Sequence, residues 1–390
     1  MVPLVGLNLS PEPSFVQTIK PLIADGLVDA LEWDVDSFWV APRAEIPAWL
    51  EPLLDAYASD GRLYAHCVWL SMLTARRQER EDVWLERLAE EFERRPYRHV
   101  SEHLGVVSAG PYFATTTLPL PRFAAAASVG RERIARLSAA AGVPVGLENM
   151  VAALGLADAV TQPALLEDIL APSDGFVLLD LHNLYTQAVN LGLDPMALLA
   201  SFPCDRVREV HVSGGSWRDI GGRPFRFDSH DDSVPSEVFE LLAAALSLCP
   251  HMEVVMFERR PGTITSPADV EAVRADYVRV VDIVQASEEA GPPHAPHAKP
   301  LPEMRWELSD AMASADQLAD YHDALIEVLA RKSTARAQHA ELLAHPATAP
   351  VRDYVASFEL RSIAATSLLA RRWSRTASQV ASEGLVPNEI

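Results

Sequence analysis

The sequence predicts an α/β chain, a (β/α)8 TIM barrel followed by an all-helical C-terminal extension, and three observations carry that expectation. Eight short apolar runs recur along the chain with helix-like stretches between them. Most of the runs are continuously apolar rather than alternating, as parallel strands covered on both faces must be. Eight such units in about 285 residues match the count and length of a closed barrel. A doubly wound open sheet is the rival, but no GxGxxG follows the first run and that fold needs no eighth unit.

In chain order the expected strands are PLVGLNL (3–9), DALEWDV (29–35), LYAHCVWL (63–70), HVSEHLG (99–105), VPVGLENM (143–150), GFVLLDL (175–181), VREVHVSG (207–214) and MEVVMFER (252–259). The clearest helix lies over 79–95, where Val83, Leu85, Leu88 and Phe92 recur near helical spacing. Others are expected over 123–142, 163–171, 235–249 and 266–285. The last opens on Ser266-Pro267, an N-cap followed by proline at the first helical position.

Residues 1–286 thus form the barrel unit. Residues 287–303 have the composition of a Pro-rich linker, and His294 and His297 within it read as part of a solvated tether rather than a metal site. Beyond it, 306–331, 333–345 and 350–375 read as three helices with small, Ala-rich apolar faces. The extension 304–390 holds too little core to fold well alone, so it should pack on the barrel or on a partner.

The chain has 390 residues, 49% of them hydrophobic, enough for a sizeable core. Its formal net charge is −21, and 304–390 carries nine basic and eleven acidic residues, so −19 belongs to 1–303. That sign argues against nucleic-acid or anionic-membrane partners. Cys67, Cys204 and Cys249 form no disulfide framework. The start, MVPLVGLNLSPEPSF, lacks a basic n-region, and no uninterrupted apolar run is long enough to span a bilayer. These features read as a protein of the reducing cytoplasm.

The chemistry-bearing residues are placed in one pattern. His66 lies near the end of the third run, His103 ends the fourth, Glu148 the fifth and Asp180 the sixth, with His182 and Asn183 just beyond. His211 ends the seventh, Asp228 and His230 follow in its loop, and Glu258 ends the eighth. The carboxyl ends of barrel strands converge on one rim, where active sites of this fold sit. Taken singly, a histidine after an apolar strand is ordinarily a hydrogen-bonded core residue, and Arg259 or Arg260 would serve to pair Glu258. Jointly, so many imidazoles and carboxylates in one apolar rim would each carry a burial penalty of a few kcal/mol, which cations remove. The donors are hard to borderline, with no thiolate cluster, and suit Fe, Mn or Zn. They exceed what one ion can use, so two or three ions sharing bridging carboxylates are expected, with Glu148 as the bridge. Cys67 should turn away from the site by strand alternation. Gly214-Gly215 read as a loop turn, with an anion cradle as the alternative.

On these residues the chain resembles the multinuclear non-heme iron-dependent oxidative enzymes, the MbnB/TglH-like TIM-barrel proteins formerly of unknown function. The resemblance covers about 1–285. Its most specific segment is LLDLHNLYTQAVNLG (178–192), joined by SEHLG (101–105), GLENM (146–150), EVHVSG (209–214), DSH (228–230) and FER (257–259). It implies a non-heme iron-dependent oxidoreductase holding two or three iron ions per chain in mixed Fe(II)/Fe(III) states. Such an enzyme uses O2 as co-substrate to oxidise a residue, commonly Cys, in a ribosomally synthesised precursor peptide. The implied metal ligands are His66, His103, Glu148, Asp180, His211, Asp228, His230 and Glu258, with a further donor from His182 or Asn183. It also implies a partner protein that binds the leader peptide, a role the extension 304–390 would fill in part or serve by docking; the equal alternative for the extension is a stabilising helical cap on the barrel. Departures sit beside the ligands: Gly214-Gly215 stand where the family often has a second histidine, and MVAA (150–153) replaces its serines. The alternative reading is a Zn/Mn-dependent hydrolase or isomerase of the endonuclease IV/xylose isomerase-like type. A third is a metal-loaded peptide-binding scaffold.

Overall fold

A computed structural model describes residues 2–10, 12–37, 39, 46–109, 112–260, 262–287, 299–302, 310–373 and 375–376. All eight expected runs are strands: Leu4–Leu9, Ala30–Asp34, Leu63–Cys67, Val100–His103, Val145–Glu148, Phe176–Asp180, Val207–Val212 and Val254–Phe257. Each pairs in parallel with its sequence neighbours, and the first closes against the eighth, so the sheet has no free edge. Strand alternation turns Asn8, Glu32, His66, His103, Glu148, Asp180 and His211 inward. It turns Cys67 outward into the packed layer beneath the helices, where burial pushes its thiol well up.

Helices cover the outside. Glu79–Arg94 and Pro267–Ala286 lie where expected, the second capped by the Ser266 hydroxyl, which accepts from the Asp269 N–H. On the first, Trp84 rather than Val83 faces the core, and Val83 is 49% exposed. The helix expected over 163–171 begins earlier, at Leu156. The reason is a capping carboxylate: Asp158 accepts from the Leu154 and Gly155 N–H groups and starts the helix one turn and more before Pro163. Leu181–Leu191, not anticipated as a helix, is launched directly from the sixth strand by Asp180, whose carboxylate accepts from the Asn183 N–H at 2.6 Å. Two hairpins were also not anticipated, Gly105–Ala109 with Tyr112–Pro119 and Trp217–Asp219 with Pro224–Arg226, inserted after the fourth and seventh strands.

The extension is helical and packs on the barrel, sharing one continuous hydrophobic core with it. Its first helix starts at Ala315 rather than 306, because Ser314 caps it; 306–309 lie outside the described residues. The expected helix 333–345 is Ala335–Ala344, and 350–375 divides into Arg352–Ala356 and Leu360–Trp373 with a 3-10 turn, Pro346–Val351, before them. A two-residue strand, Arg375–Thr376, adds to the hairpin strand Tyr112–Pro119. Two hydrogen bonds tie the extension to the start of Leu156–Leu170. Tyr354 donates to Asp158, and the Glu359 N–H donates to the Leu154 carbonyl at 2.7 Å. Of the linker, 288–298 lie outside the described residues, His294 and His297 among them. Among the described residues, no helix is long and apolar enough to cross a membrane.

Candidate metal centre

The barrel brings the rim residues together as the strand ends predict. In register, Asp34 lies opposite His66, His103 opposite Glu148, and Asp180 opposite His211. The His66 Nε2 and His103 Nε2 stand 3.4 and 3.3 Å from the same oxygen, Oε2 of Glu148, and 3.3 Å from each other. Among the described residues, four sets of donors have one atom per residue within 4.8 Å of each other: His66–His103–Glu148, Glu148–Asp180–His211, Asp180–His230–Glu258, and Glu32–Glu209–His211. The first three form a chain, since Glu148 belongs to two of them and Asp180 to two.

At one end, burial and the neighbouring imidazoles hold His66 well below its ordinary value. Burial also brings His103 down to about 4. Glu148 is raised well above the carboxylate range by burial and by Asp180, and Asp180 is raised to about 8 by burial, Asp228 and Glu258. At the other end, burial opposes the charged forms of His230 and His211 but is outweighed by carboxylates. Asp228 and Glu258 lift His230 to about 10, and Glu258 and Glu32 lift His211 well above 6.5. Asp228 and Glu258 are lowered in return, His230 and His182 overcoming burial at the first, His211 and His230 at the second.

His182 and Asn183, which the sequence leaves as alternatives, have different surroundings. Both nitrogens of His182 are engaged: Nδ1 lies 2.8 Å from Asp228 Oδ1, and Nε2 accepts from the Arg226 guanidinium at 3.1–3.2 Å. Asn183 donates through Nδ2 to Glu148 Oε1 at 2.9 Å and to the Asn149 carbonyl, while its Oδ1 is buried without a partner. Asp228 shares its Oδ1 between His182 and His230, the latter also at 2.8 Å. His230 has a positive φ of 49°, a backbone strain for a non-glycine residue, and the Arg260 N–H donates to its carbonyl. Glu258 faces His211 and His230, and the Arg259 Nε instead donates to Thr263. Gly214 and Gly215 are packed against backbone. A Cβ on them would meet the carbonyls of Asp232 and Phe227 at 2.3 Å, so their bareness lets the segment carrying Asp228 and His230 close on the rim.

Sequence reasoning missed a lower layer. Glu32 Oε2 lies 3.1 Å from His211 Nε2 and accepts from Asn8, and Glu209 pairs with His99 at 2.7 Å. Burial and Glu209 raise Glu32 to about 7, whereas His99 and His211 overcome burial to bring Glu209 to about 2. The signal was present: Glu32 precedes Asp34, and Glu209 precedes His211, by the two-residue period that puts both on one face. Ser101, one such step before His103, lies 2.8 Å from His66 Nδ1.

Metal ions fit these residues. Glu148 Oε2, Asp180 Oδ2 and Asn183 Oδ1 are buried without a hydrogen bond, an arrangement costly in polar atoms unless cations take them. Imidazole, carboxylate and amide oxygens are donors for iron, manganese or zinc.

A sequence model described as "RiPP precursor modification enzyme MbnB/TglH/ChrH" matches residues 31–272. A UPF0276 protein of Acaryochloris marina is 32% identical over 149 residues, 38% of this chain and 52% of that one. A UPF0276 protein of Caulobacter vibrioides is 34% identical over 147 residues, 37% and 51%. Another, of Streptomyces avermitilis, is 32% identical over 228 residues, 56% and 46%. The chain thus spans about half the length of the curated relatives it matches. Among solved structures, the IOLI protein with a binding zinc atom aligns at TM-score 0.49 and 15% identity, over 73% of this chain and 99% of that one. Endonuclease IV of Thermus thermophilus aligns at 0.46 and 20%, over 74% and 100%.

Proposed function

We propose that this chain, which belongs to the MbnB/TglH/ChrH family of RiPP precursor modification enzymes, holds two or three iron ions and uses O2 to oxidise a residue, Cys first, of a ribosomally synthesised precursor peptide. The observation that carries the metal reading is the set of buried oxygens without a hydrogen bond on Glu148, Asp180 and Asn183. In this reading His66, His103, Glu148, Asp180, Asn183, His211, Asp228, His230 and Glu258 would hold the ions, and Glu148 and Asp180, each a member of two donor sets, would be shared between neighbouring ions. His182 is a support rather than a ligand. The ions would supply the redox chemistry, activating O2 and binding a thiolate of the substrate.

The chain's own groups prepare that chemistry. Ser101, at His66 Nδ1, turns Nε2 toward Glu148 and His103. Asn183 pins Glu148 Oε1 and so leaves Oε2 to face the two histidines. The Asn149 amide bonds the backbone N–H and C=O of Asp180, fixing the bridge between neighbouring strands. Low values at His66 and His103 keep their imidazoles neutral, the form that ligates.

The test is elemental analysis of protein purified without oxygen or chelator, followed by O2 uptake with a cysteine-bearing precursor peptide encoded beside the gene. Two or three irons per chain with peptide-dependent O2 uptake support the reading. Stoichiometric zinc or manganese that iron cannot replace would point instead to the hydrolase or isomerase. Bound iron with no peptide-dependent uptake would remove the oxidase.

A further inference from the structure

We infer that the C-terminal extension is a brace for the metal centre, acting through the strand Pro224–Arg226. The inference rests on the metal reading above. A series of contacts runs from the extension to the donors. On the helix Leu360–Trp373, the Arg361 guanidinium donates to the Pro224 carbonyl at 2.5 Å and lies over the Phe225 ring at 5.4 Å. One helical face beyond it, Ala364, Ala365, Leu368 and Leu369 close an apolar cluster on Ile220, Phe225 and Phe227 of the hairpin. Next along the strand, the buried Arg226 donates to His182 Nε2. Because a guanidinium only donates, that nitrogen is the acceptor and Nδ1 carries the proton, which is therefore given to Asp228 at 2.8 Å. Asp228 in turn meets His230 at 2.8 Å.

The chemistry of each link is directional. Arg226 fixes the tautomer of His182, His182 fixes the carboxylate of Asp228, and Asp228 holds the ring of His230, a residue already at a strained backbone position. Arg226 is itself held in place at its backbone, its N–H donating to Asn190 and its carbonyl accepting from Asn190, and its guanidinium lies over the rings of Tyr185 and Trp217. A two-strand hairpin has little stability of its own in water. The apolar face and the Arg361 hydrogen bond supply what the hairpin lacks, so the extension decides how firmly Arg226 is presented. Arg361 and Arg226 are positioning residues in this scheme. The centre's other end, at His66 and His103, stands on adjacent barrel strands and is held through Ser101.

Binding coupled in this way is reciprocal: if the extension tightens the metal site, metal must tighten the extension. The test uses the full chain. Metal-free protein is loaded with Fe(II) under anaerobic conditions and affinities are read by chelator competition, alongside amide hydrogen exchange with and without metal. Arg361→Ala should weaken the loosest-held ion by about tenfold, the low end of what outer partners contribute, while ions at the His66 end keep wild-type affinity. Arg361→Lys, which retains a donor for the Pro224 carbonyl, should recover most of the loss. In the wild type, metal should slow exchange across 360–370 as well as across 224–230. A folded Arg361→Ala protein with unchanged affinity for every ion overturns the brace. So does protection confined to 224–230 with 360–370 unaffected, a result that needs no variant to fold. Wild-type protein that takes up no Fe(II) sinks the metal reading and the brace together, which separates the two failures.

Discussion

The two ends of the donor chain are built on opposite electrostatic plans. At the His66–His103–Glu148 end, burial dominates, the imidazoles are neutral and the carboxyl is raised. At the Asp228–His230–Glu258 end, with His211 beside it, charges of both signs are paired tightly enough to overcome burial. The first end stands on adjacent strands and on Ser101. The second stands half on a loop, with a left-handed residue and a series of side-chain supports. A rigid sheet can present neutral donors in place before metal arrives. A loop needs internal ion pairs to keep its shape without metal, and on the proposed loading those pairs would be exchanged for metal bonds.

The largest break in this contrast is at the residue both ends depend on. Glu148→Gln should lower metal content and affinity by more than the roughly 10–100-fold typical of an outer partner, and cut turnover with it. Elemental analysis checks this, and full iron retention would take Glu148 out of the ligand set. Removing one histidine from each end sharpens the contrast in the metal-free protein. His230→Ala strips the compensation from Asp228 and Glu258 and should cost about 3 kcal/mol at pH 7. His66→Ala, which removes a neutral ring, should cost about half of that or less. Urea unfolding in the presence of chelator measures both, and equal costs would contradict the two plans.

Proton linkage gives the same contrast a sign. His103 lies at about 4, below its ordinary 6.5, so its contribution to metal-free stability is present above 6.5 and is lost as pH falls through 4. His230 lies at about 10, so its contribution is present below 6.5 and is lost as pH rises through 10. His103→Gln should therefore flatten the acid limb of the stability curve by up to about 3 kcal/mol, and His230→Gln the alkaline limb by up to about 5 kcal/mol. Unfolding series from pH 4 to 10 read both limbs; identical curves for the two variants would contradict the assignment. The smallest effect is expected at Ser101→Ala. Losing one hydrogen bond to His66 should cost about 1 kcal/mol and leave the His230 end unchanged, as chelator competition would reveal.

The barrel was legible because its eight strands are buried on both faces and so announce themselves as apolar runs. The rim was legible because polar residues that end such runs can go nowhere else. Loop-level features were not. Asp180 doubles as the cap of Leu181–Leu191, and a residue with two roles in one position shows only one of them in a sequence. The hairpins around 112 and 217 have no apolar run long enough to stand out, and they owe their stability to the extension and to neighbouring helices. Glu32 and Glu209 went unnoticed for a different reason. Each lies one alternation step below the strand end, where a carboxylate is expected to be excluded, and only the pairing with His211 and His99 makes it tolerable. The different surroundings of His182 and Asn183 owe much to Arg226, which is 44 positions from His182 in the chain.

His103 is level with Glu148, and Asp180 with His211, on strands that run side by side. Neighbouring strands are spaced by their main-chain hydrogen bonds at about 4.8 Å, whatever side chains they carry. The sheet is therefore a ruler, and side chains only choose where along its marks an ion would be held. Lengthening or shortening a donor, as in Glu148→Asp, changes the reach of one arm but leaves the graduations alone. Selection can then exchange loops, and with them substrates, without recalibrating the instrument.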